Sequence, residues 1–314
     1  MEPSEIPTAI ADGRYTGLEA IARGGMGWVF KAHDGRTDQV VAVKFMDDDY
    51  GVSKEWQSRF LAEGTTMAVI QHTHVLRVVD VGVEQLRWPY LVMEFASGGS
   101  LYDRCVDGEG VQPMVATRHV FDMLSGLAAA HRVGVIHRDV KPANVLFTED
   151  DTLKLADFGL AKVNAIVADV DHRTRTGQGL GTEGYAAPEA RVDARSATPA
   201  TDIYAVGATL FTVLRGYEPP DLSLADADAR MFRNYDPELV RIILRATAER
   251  PEDRYPTARE MALDVARAHH RFAGGPDETD AWMARFDASL AQPAARRGCA
   301  GFLPRWAVLP RKGV

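Results

Sequence analysis

Two short stretches constrain this chain more than anything else in it: His137-Arg138-Asp139-Val140-Lys141-Pro142-Ala143-Asn144 and, a little further on, Asp157-Phe158-Gly159. They place two carboxylates, an amide and an ammonium group at close, ordered intervals. A lone Asp in a loop is usually just solvated, and either triplet alone recurs by chance, so the joint spacing carries the argument. Carboxylate and amide oxygens are hard donors, the kind that a small divalent cation takes from a protein while keeping waters or phosphate oxygens as its other ligands.

Three further segments lie in order around them. Upstream, Ala22-Arg23-Gly24-Gly25-Met26-Gly27-Trp28-Val29 is a glycine-rich turn and Val41-Ala42-Val43-Lys44 a short apolar strand ending in lysine; downstream comes Ala187-Pro188-Glu189. The five together resemble the G-x-G-x-x-G-x-V loop, V-A-I-K strand, H-R-D catalytic loop, D-F-G and A-P-E of protein kinases. Arg23-Gly24-Gly25-Met26-Gly27 and Pro251-Glu252-Asp253-Arg254-Tyr255-Pro256 are wording typical of the eukaryotic-like Ser/Thr protein kinases of bacteria. The resemblance covers roughly the first 270 residues. It implies an α+β, bilobal protein kinase fold with a small antiparallel β lobe carrying one helix and a larger, mainly helical lobe.

Composition agrees with that reading. The chain has 314 residues, 46 % of them hydrophobic, enough for a two-lobed domain and a tail. A net charge of −8 disfavours a nucleic-acid partner. Cys105 and Cys299 are too few and too far apart for a disulfide framework, and the N-terminus lacks the basic and apolar regions of a signal peptide, so a cytoplasmic location is expected. No run approaches the length of a transmembrane segment; Ile203 to Leu214, the longest candidate, reads as a buried core helix.

Short β-branched and aromatic runs at Tyr15 to Ile21, Trp28 to Ala32 and Val40 to Met46 predict three antiparallel strands. A helix is expected over Ser53 to Ile70, then strands at Val75 to Val83 and Tyr90 to Glu94, and afterwards helices at Met114 to Arg132, Thr201 to Leu214, Pro237 to Thr247 and Ala258 to Phe272. The expected organisation is a kinase domain over residues 1–274, with the small lobe at about 12–94, the hinge at about 94–99 and the large lobe at about 100–274, and nucleotide in the cleft between lobes. Residues 275–314 form a tail. Trp282, Phe286 and Leu290 stand at helical spacing in it, followed by arginines mixed with Phe302, Leu303 and Trp306. One reading is a helix packed on the large lobe followed by disorder; the other is a docking or membrane-surface segment.

The resemblance assigns roles residue by residue. Ile21, Ala22, Arg23, Gly24, Gly25, Met26, Gly27 and Val29 would close over ATP, with Ala42, Met93, Glu94, Ala96 and Leu146 around the adenine and Met93 as gatekeeper. Ala22 departs from the family's first glycine; its methyl would stiffen the loop or crowd the ribose side. Lys44 would contact the α- and β-phosphates and pair with Glu63. Asp139 would be the catalytic base, Asn144 and Asp157 the Mg²⁺ ligands, Lys141 the steadying cation that marks Ser/Thr rather than Tyr specificity, and Thr182 a partner of Asp139 and Lys141. His137 and Phe158 would stack with Met67 and Val78 above Asp202, and Arg254 would pair with Glu189.

The polar segment around Thr174 and Thr176 suits a loop ordered by autophosphorylation, with Arg138 receiving the phosphate. Protein substrates with Ser/Thr acceptors follow from the resemblance, basic ones being favoured by the acidic net charge; a homodimer is left open. Two rivals are a kinase-fold scaffold without activity, which normally lacks a Lys, an Asp or a metal ligand, and a small-molecule kinase, which would lack the Thr-bearing segment and Ala187-Pro188-Glu189.

Overall fold

The computed structural model describes residues 5–24, 27–46, 54–85, 87–105, 110–158, 184–227, 231–274 and 276–291. They belong to two compact units. One holds residues up to Gln71 and Leu76–Phe95; the other holds His72–Val75 and the chain from Ala96 through the last described helix.

The first unit is an antiparallel sheet of β1 (Ala9–Ile10), β2 (Tyr15–Gly24), β3 (Gly27–Asp34), β4 (Gln39–Phe45), β5 (Val78–Glu84) and β6 (Trp88–Glu94), in the order β1-β2-β3-β4-β6-β5. Helix α1 (Lys54–Ala68) follows β4 in the chain. Phe30, Val43, Phe45 and Tyr90 build one side of the core, with Phe30 and Phe45 edge to face at 5.5 Å. At the far end of the sheet Arg14 grips Asp34 with two hydrogen bonds of 3.0 and 2.9 Å and reaches Asp80 at 2.9 Å. The Asp34 side chain is wholly buried, so this fork is what makes its burial tolerable. The two-residue β1 was not anticipated, because two residues carry no period. β5 starts at Val78 rather than Val75, because Val75 instead bridges to Leu155 in the second unit.

The second unit is mainly helical. It contains α2 (Leu101–Cys105), α3 (Pro113–Arg132), the hairpin β7 (Val145–Phe147) and β8 (Leu153–Leu155), α4 (Pro188–Val192), α5 (Pro199–Arg215), α6 (Pro237–Ala246), α7 (Ala258–Ala273) and α8 (Thr279–Ala291). Helix α5 is buried on every side from Thr201 to Leu214 and forms the centre of the unit; most of this span is apolar, with Thr201, Asp202, Thr209 and Thr212 as its buried polar residues. Pro199 opens it at a position whose N–H would have no helical partner, and Gly216 closes it in the left-handed region at φ 75°. Helix α6 buries Leu239, Ile242, Ile243 and Ala246, one stripe at helical spacing.

Helix α8 lies beyond the expected kinase domain and belongs to this unit. Trp282, Met283 and Phe286 are buried, Phe121 of α3 meets the Trp282 and Phe286 rings at 4.8 and 5.6 Å, and Arg259 of α7 clasps Asp287 through two bonds of 2.7 Å. Among the described residues no helix is long and apolar enough to cross a membrane.

Candidate active site

The second unit gathers Asp139, Lys141, Asn144 and Asp157 in one region. Asp202, wholly buried near the start of α5, anchors the loop: its Oδ2 accepts the His137 N–H at 2.9 Å and its Oδ1 the Arg138 N–H at 2.8 Å, while His131 lies 2.7 Å from Oδ2. Sequence reasoning anticipated Asp202 but missed His131, which stands six residues before His137 in Ala130-His131-Arg132-Val133-Gly134-Val135-Ile136-His137. Pinned this way, the loop turns sharply, with Arg138 at φ 66°, a left-handed conformation uncommon outside glycine.

The turn presents Asp139, half-buried. Lys141 Nζ stands 3.1 Å from Asp139 Oδ2. The Asn144 amide nitrogen donates to the Asp139 carbonyl at 2.7 Å and to Oδ2 at 2.9 Å, which turns its own amide oxygen away from that carboxylate. Asn144 closes a single 3-10 turn opened by Pro142 and then runs straight into β7. Its carbonyl accepts the Ala156 N–H at 2.9 Å, tying the residue before Asp157 to the residue that orients Asp139. Asp157 is also left-handed, at φ 55°. Two non-glycine residues held in this sparsely populated region, at either end of one hydrogen-bonded cluster, mark a place where geometry outranks local comfort.

His137 is fully buried, and its ring lies 4.3 Å from that of Phe158. Burial pushes its pKa down, so a packed neutral ring is the form the site holds. Glu189 and Arg254 form the anticipated pair, two parallel bonds of 2.8 Å with the Arg254 side chain wholly buried. Burial works against the Glu189 charge, but the Arg254 fork outweighs it and holds the carboxyl below its usual range.

In the first unit the strand register aligns the other candidates. Ala22 opposes Val29, Val29 opposes Lys44 and Lys44 opposes Leu91, one row across four strands. Ala42, two residues from Lys44 and therefore on the same face, opposes Met93. Gly24 pairs with Gly27 at the tip, where Gly27 adopts φ 142°. Ile21, Ala22, Arg23 and Gly24 are exposed along β2. Glu94 ends β6, its N–H and Oε1 both bonded to the Arg77 backbone at 3.0 Å. Ala96 and Leu146 belong to the second unit, where Leu146 pairs with Lys154 and bridges to Ser100.

Glu63 falls within α1, but its side chain lies outside the described residues, as do Gly25, Met26, Gly159, Thr174, Thr176 and Thr182. Among the described residues no three His, Cys, Asp or Glu side chains cluster to hold a metal by themselves. One carboxylate and one amide are nonetheless a donor set that fits Mg²⁺, which binds through one or two protein oxygens and completes its shell with phosphate and water.

Residues 15–270 match the family model of the protein kinase domain. The Ser/Thr protein kinase PknL of Mycobacterium tuberculosis is 36 % identical over 272 residues, covering 83 % of this chain and 67 % of PknL. PknB of Mycolicibacterium smegmatis is 34 % identical over 315 residues, covering 94 % of this chain but only 49 % of PknB, so the chain spans about half the length of that relative. Among solved structures, the Mycobacterium tuberculosis PknI kinase domain superposes with a TM-score of 0.65 at 24 % identity, covering 84 % of this chain and 99 % of that one, a likeness of fold. Motifs, fold and relatives converge: the chain belongs to the protein kinase family, among the eukaryotic-like Ser/Thr protein kinases of bacteria.

Proposed function

We propose that this chain is a catalytically active Ser/Thr protein kinase that uses ATP and Mg²⁺ and is switched on by autophosphorylation of the segment holding Thr174 and Thr176. The observation that carries the reading is the cluster in which Asn144 and Lys141 converge on the Asp139 carboxylate while the Asn144 carbonyl holds the chain next to Asp157. Phosphoryl transfer needs little from a protein beyond aligned oxygens and neutralised charge, and this cluster is equipped for both.

In this reading Asp139 Oδ2 receives the proton of a substrate Ser or Thr hydroxyl. Lys141, 3.1 Å from that oxygen, sits where a transferred phosphoryl group would carry its charge. Asn144 fixes the Asp139 rotamer through its amide nitrogen, which leaves its amide oxygen, with Asp157, to hold Mg²⁺. When bound, that ion would neutralise charge on the phosphates. Lys44 would reach the α- and β-phosphates with Glu63 as its partner, and Gly24 and Gly27 would let the backbone approach them without a Cβ. Ile21, Val29, Ala42, Met93, Glu94, Ala96 and Leu146 would hold the adenosine.

Protein substrates, a cytoplasmic site of action and the boundary of the catalytic domain near residue 274 belong to the same proposal. An inactive scaffold has less support, because Lys44, Asp139, Asn144 and Asp157 are all retained.

The test is mass spectrometry of the purified chain after incubation with Mg²⁺ and ATP, beside Asp139→Asn. Phosphate on Thr174 or Thr176 in the parent protein alone is the expected result. Nucleotide binding with no phosphate in either protein would move the reading to a scaffold or a partner-dependent kinase.

A further inference from the structure

Helix α8 lies beyond the stretch that matches the kinase family, yet a continuous hydrogen-bonded path leads from it to the strand before Asp157. The path starts at Ser289. Its hydroxyl donates to the Phe286 carbonyl at 2.6 Å, so its oxygen can only accept from the other neighbours: the Ser125 hydroxyl of α3 at 3.0 Å and His72 Nε2 at 3.0 Å. His72 Nδ1 accepts the His74 N–H at 3.1 Å, which on a neutral ring puts the proton on Nε2 and makes His72 a donor shared between Ser289 at 3.0 Å and Ser125 at 3.2 Å, the two serines that join α8 and α3. Burial first, and then the neighbouring His74, Lys154 and Arg132, push the His72 pKa down to about 4, so the ring is neutral at pH 7.

His74 continues the path. Its Nδ1 donates to the Leu153 carbonyl at 3.0 Å, and its own carbonyl accepts the Leu155 N–H at 2.9 Å, so the segment His72–Val75 runs along the free edge of β8 opposite β7. Leu155 stands two residues before Asp157. Gly126 of α3 makes the close approach feasible: a Cβ there would meet the His74 carbonyl oxygen at 2.7 Å.

We infer that α8 braces β8 through Ser289, His72 and His74, and that Ser289 is thereby a positioning residue for Asp157. The proposal rests on the reading of Asp157 as a Mg²⁺ ligand. It makes the helix after the family domain part of the catalytic apparatus, acting through the Leu155 N–H on one edge of the strand before the metal ligand, while the Asn144 carbonyl holds the neighbouring Ala156 N–H.

Hydrogen exchange on the full chain, without nucleotide or metal, tests the brace directly. Ser289→Ala and, independently, Ser125→Ala should speed exchange of the Leu155 and Ala156 amides about fivefold, the effect of losing one net hydrogen bond from a local opening, and Ser289→Thr should restore it. In the phosphorylation assay Ser289→Ala should raise the Mg²⁺ concentration for half-maximal activity severalfold with the KM for a peptide substrate unchanged. Unaltered exchange at Leu155 and Ala156 in both alanine variants, with α8 still protected, would overturn the inference. So would faster exchange accompanied by an unchanged Mg²⁺ requirement. If the parent protein transferred no phosphate, the kinase reading would fail, and the exchange result alone would decide the brace.

Discussion

The loop around Asp139 and the strand pair bearing Gly24 and Gly27 are built by opposite means. The loop is fastened by side chains: a buried carboxylate takes two of its backbone N–H groups, Asn144 clamps Asp139, and two left-handed non-glycine residues are held in place. The strand pair is fastened by its backbone ladder, interrupted by register shifts, and β2 past Tyr15 exposes nearly every residue, Ile21 to 47 %. On the proposed function, groups that must stay aligned at the reacting atoms are over-determined by their surroundings, whereas a strand that would close over ATP keeps few contacts to break.

Removing the anchor of the loop should break this contrast most visibly. Asp202→Ala would leave the His137 and Arg138 N–H groups and His131 without their acceptor in a buried place. At about 1–3 kcal/mol for each orphaned group, a loss above about 3 kcal/mol is expected, read as a lower urea midpoint, with activity lost alongside. Gly126→Ala comes next. Its Cβ would press on the His74 carbonyl and stand 3.0 Å from Leu155 Cδ1, an overpacking expected to destabilise by about 1–3 kcal/mol and to speed exchange along β8.

A pH series probes the second unit more gently. His72 and His137 are both held below the ordinary histidine value of 6.5, chiefly by burial. Between pH 6.5 and about 4 the unfolded chain therefore binds protons that the folded chain refuses. Stability should be complete above pH 6.5 and decline steadily as the pH falls. Carboxyls held low, such as Glu189, add their loss only below the ordinary value of 4.5, so the window between belongs to the histidines. A urea midpoint that stays flat from pH 7 to 5 would contradict this. The smallest effect is expected on the exposed strand: Ala22→Gly should alter stability by less than about 1 kcal/mol and shift the KM for ATP by about twofold. A large stability loss there would erase the contrast.

Much of the site was legible because its chemistry is written contiguously. Asp139, Lys141 and Asn144 fall within one short loop, and the alternation in Val41-Ala42-Val43-Lys44 already set Ala42 and Lys44 on one face, as the register with Met93 and Leu91 shows. Strand and helix boundaries shifted by a few residues, since hydrophobic period marks the middle of an element better than its ends. The connection from Ser289 to His72 could not be read at all. Nothing in a serine on a tail helix indicates that its hydroxyl will meet a histidine more than two hundred residues earlier.

The amino-acid sequence by itself determined the family, the order of the motifs and the residue types available for chemistry, because glycine turns, hard oxygen donors and apolar periods are local properties of a chain. Tertiary structure alone decided that Asp202 would be anchored from His131 as well as from the loop, that Val75 would join β8 rather than β5, and that the helix after the kinase domain would be wired to the strand before Asp157. Such contacts depend on which buried polar groups come within bonding distance once the cores have packed, because leaving such a group without a partner costs stability.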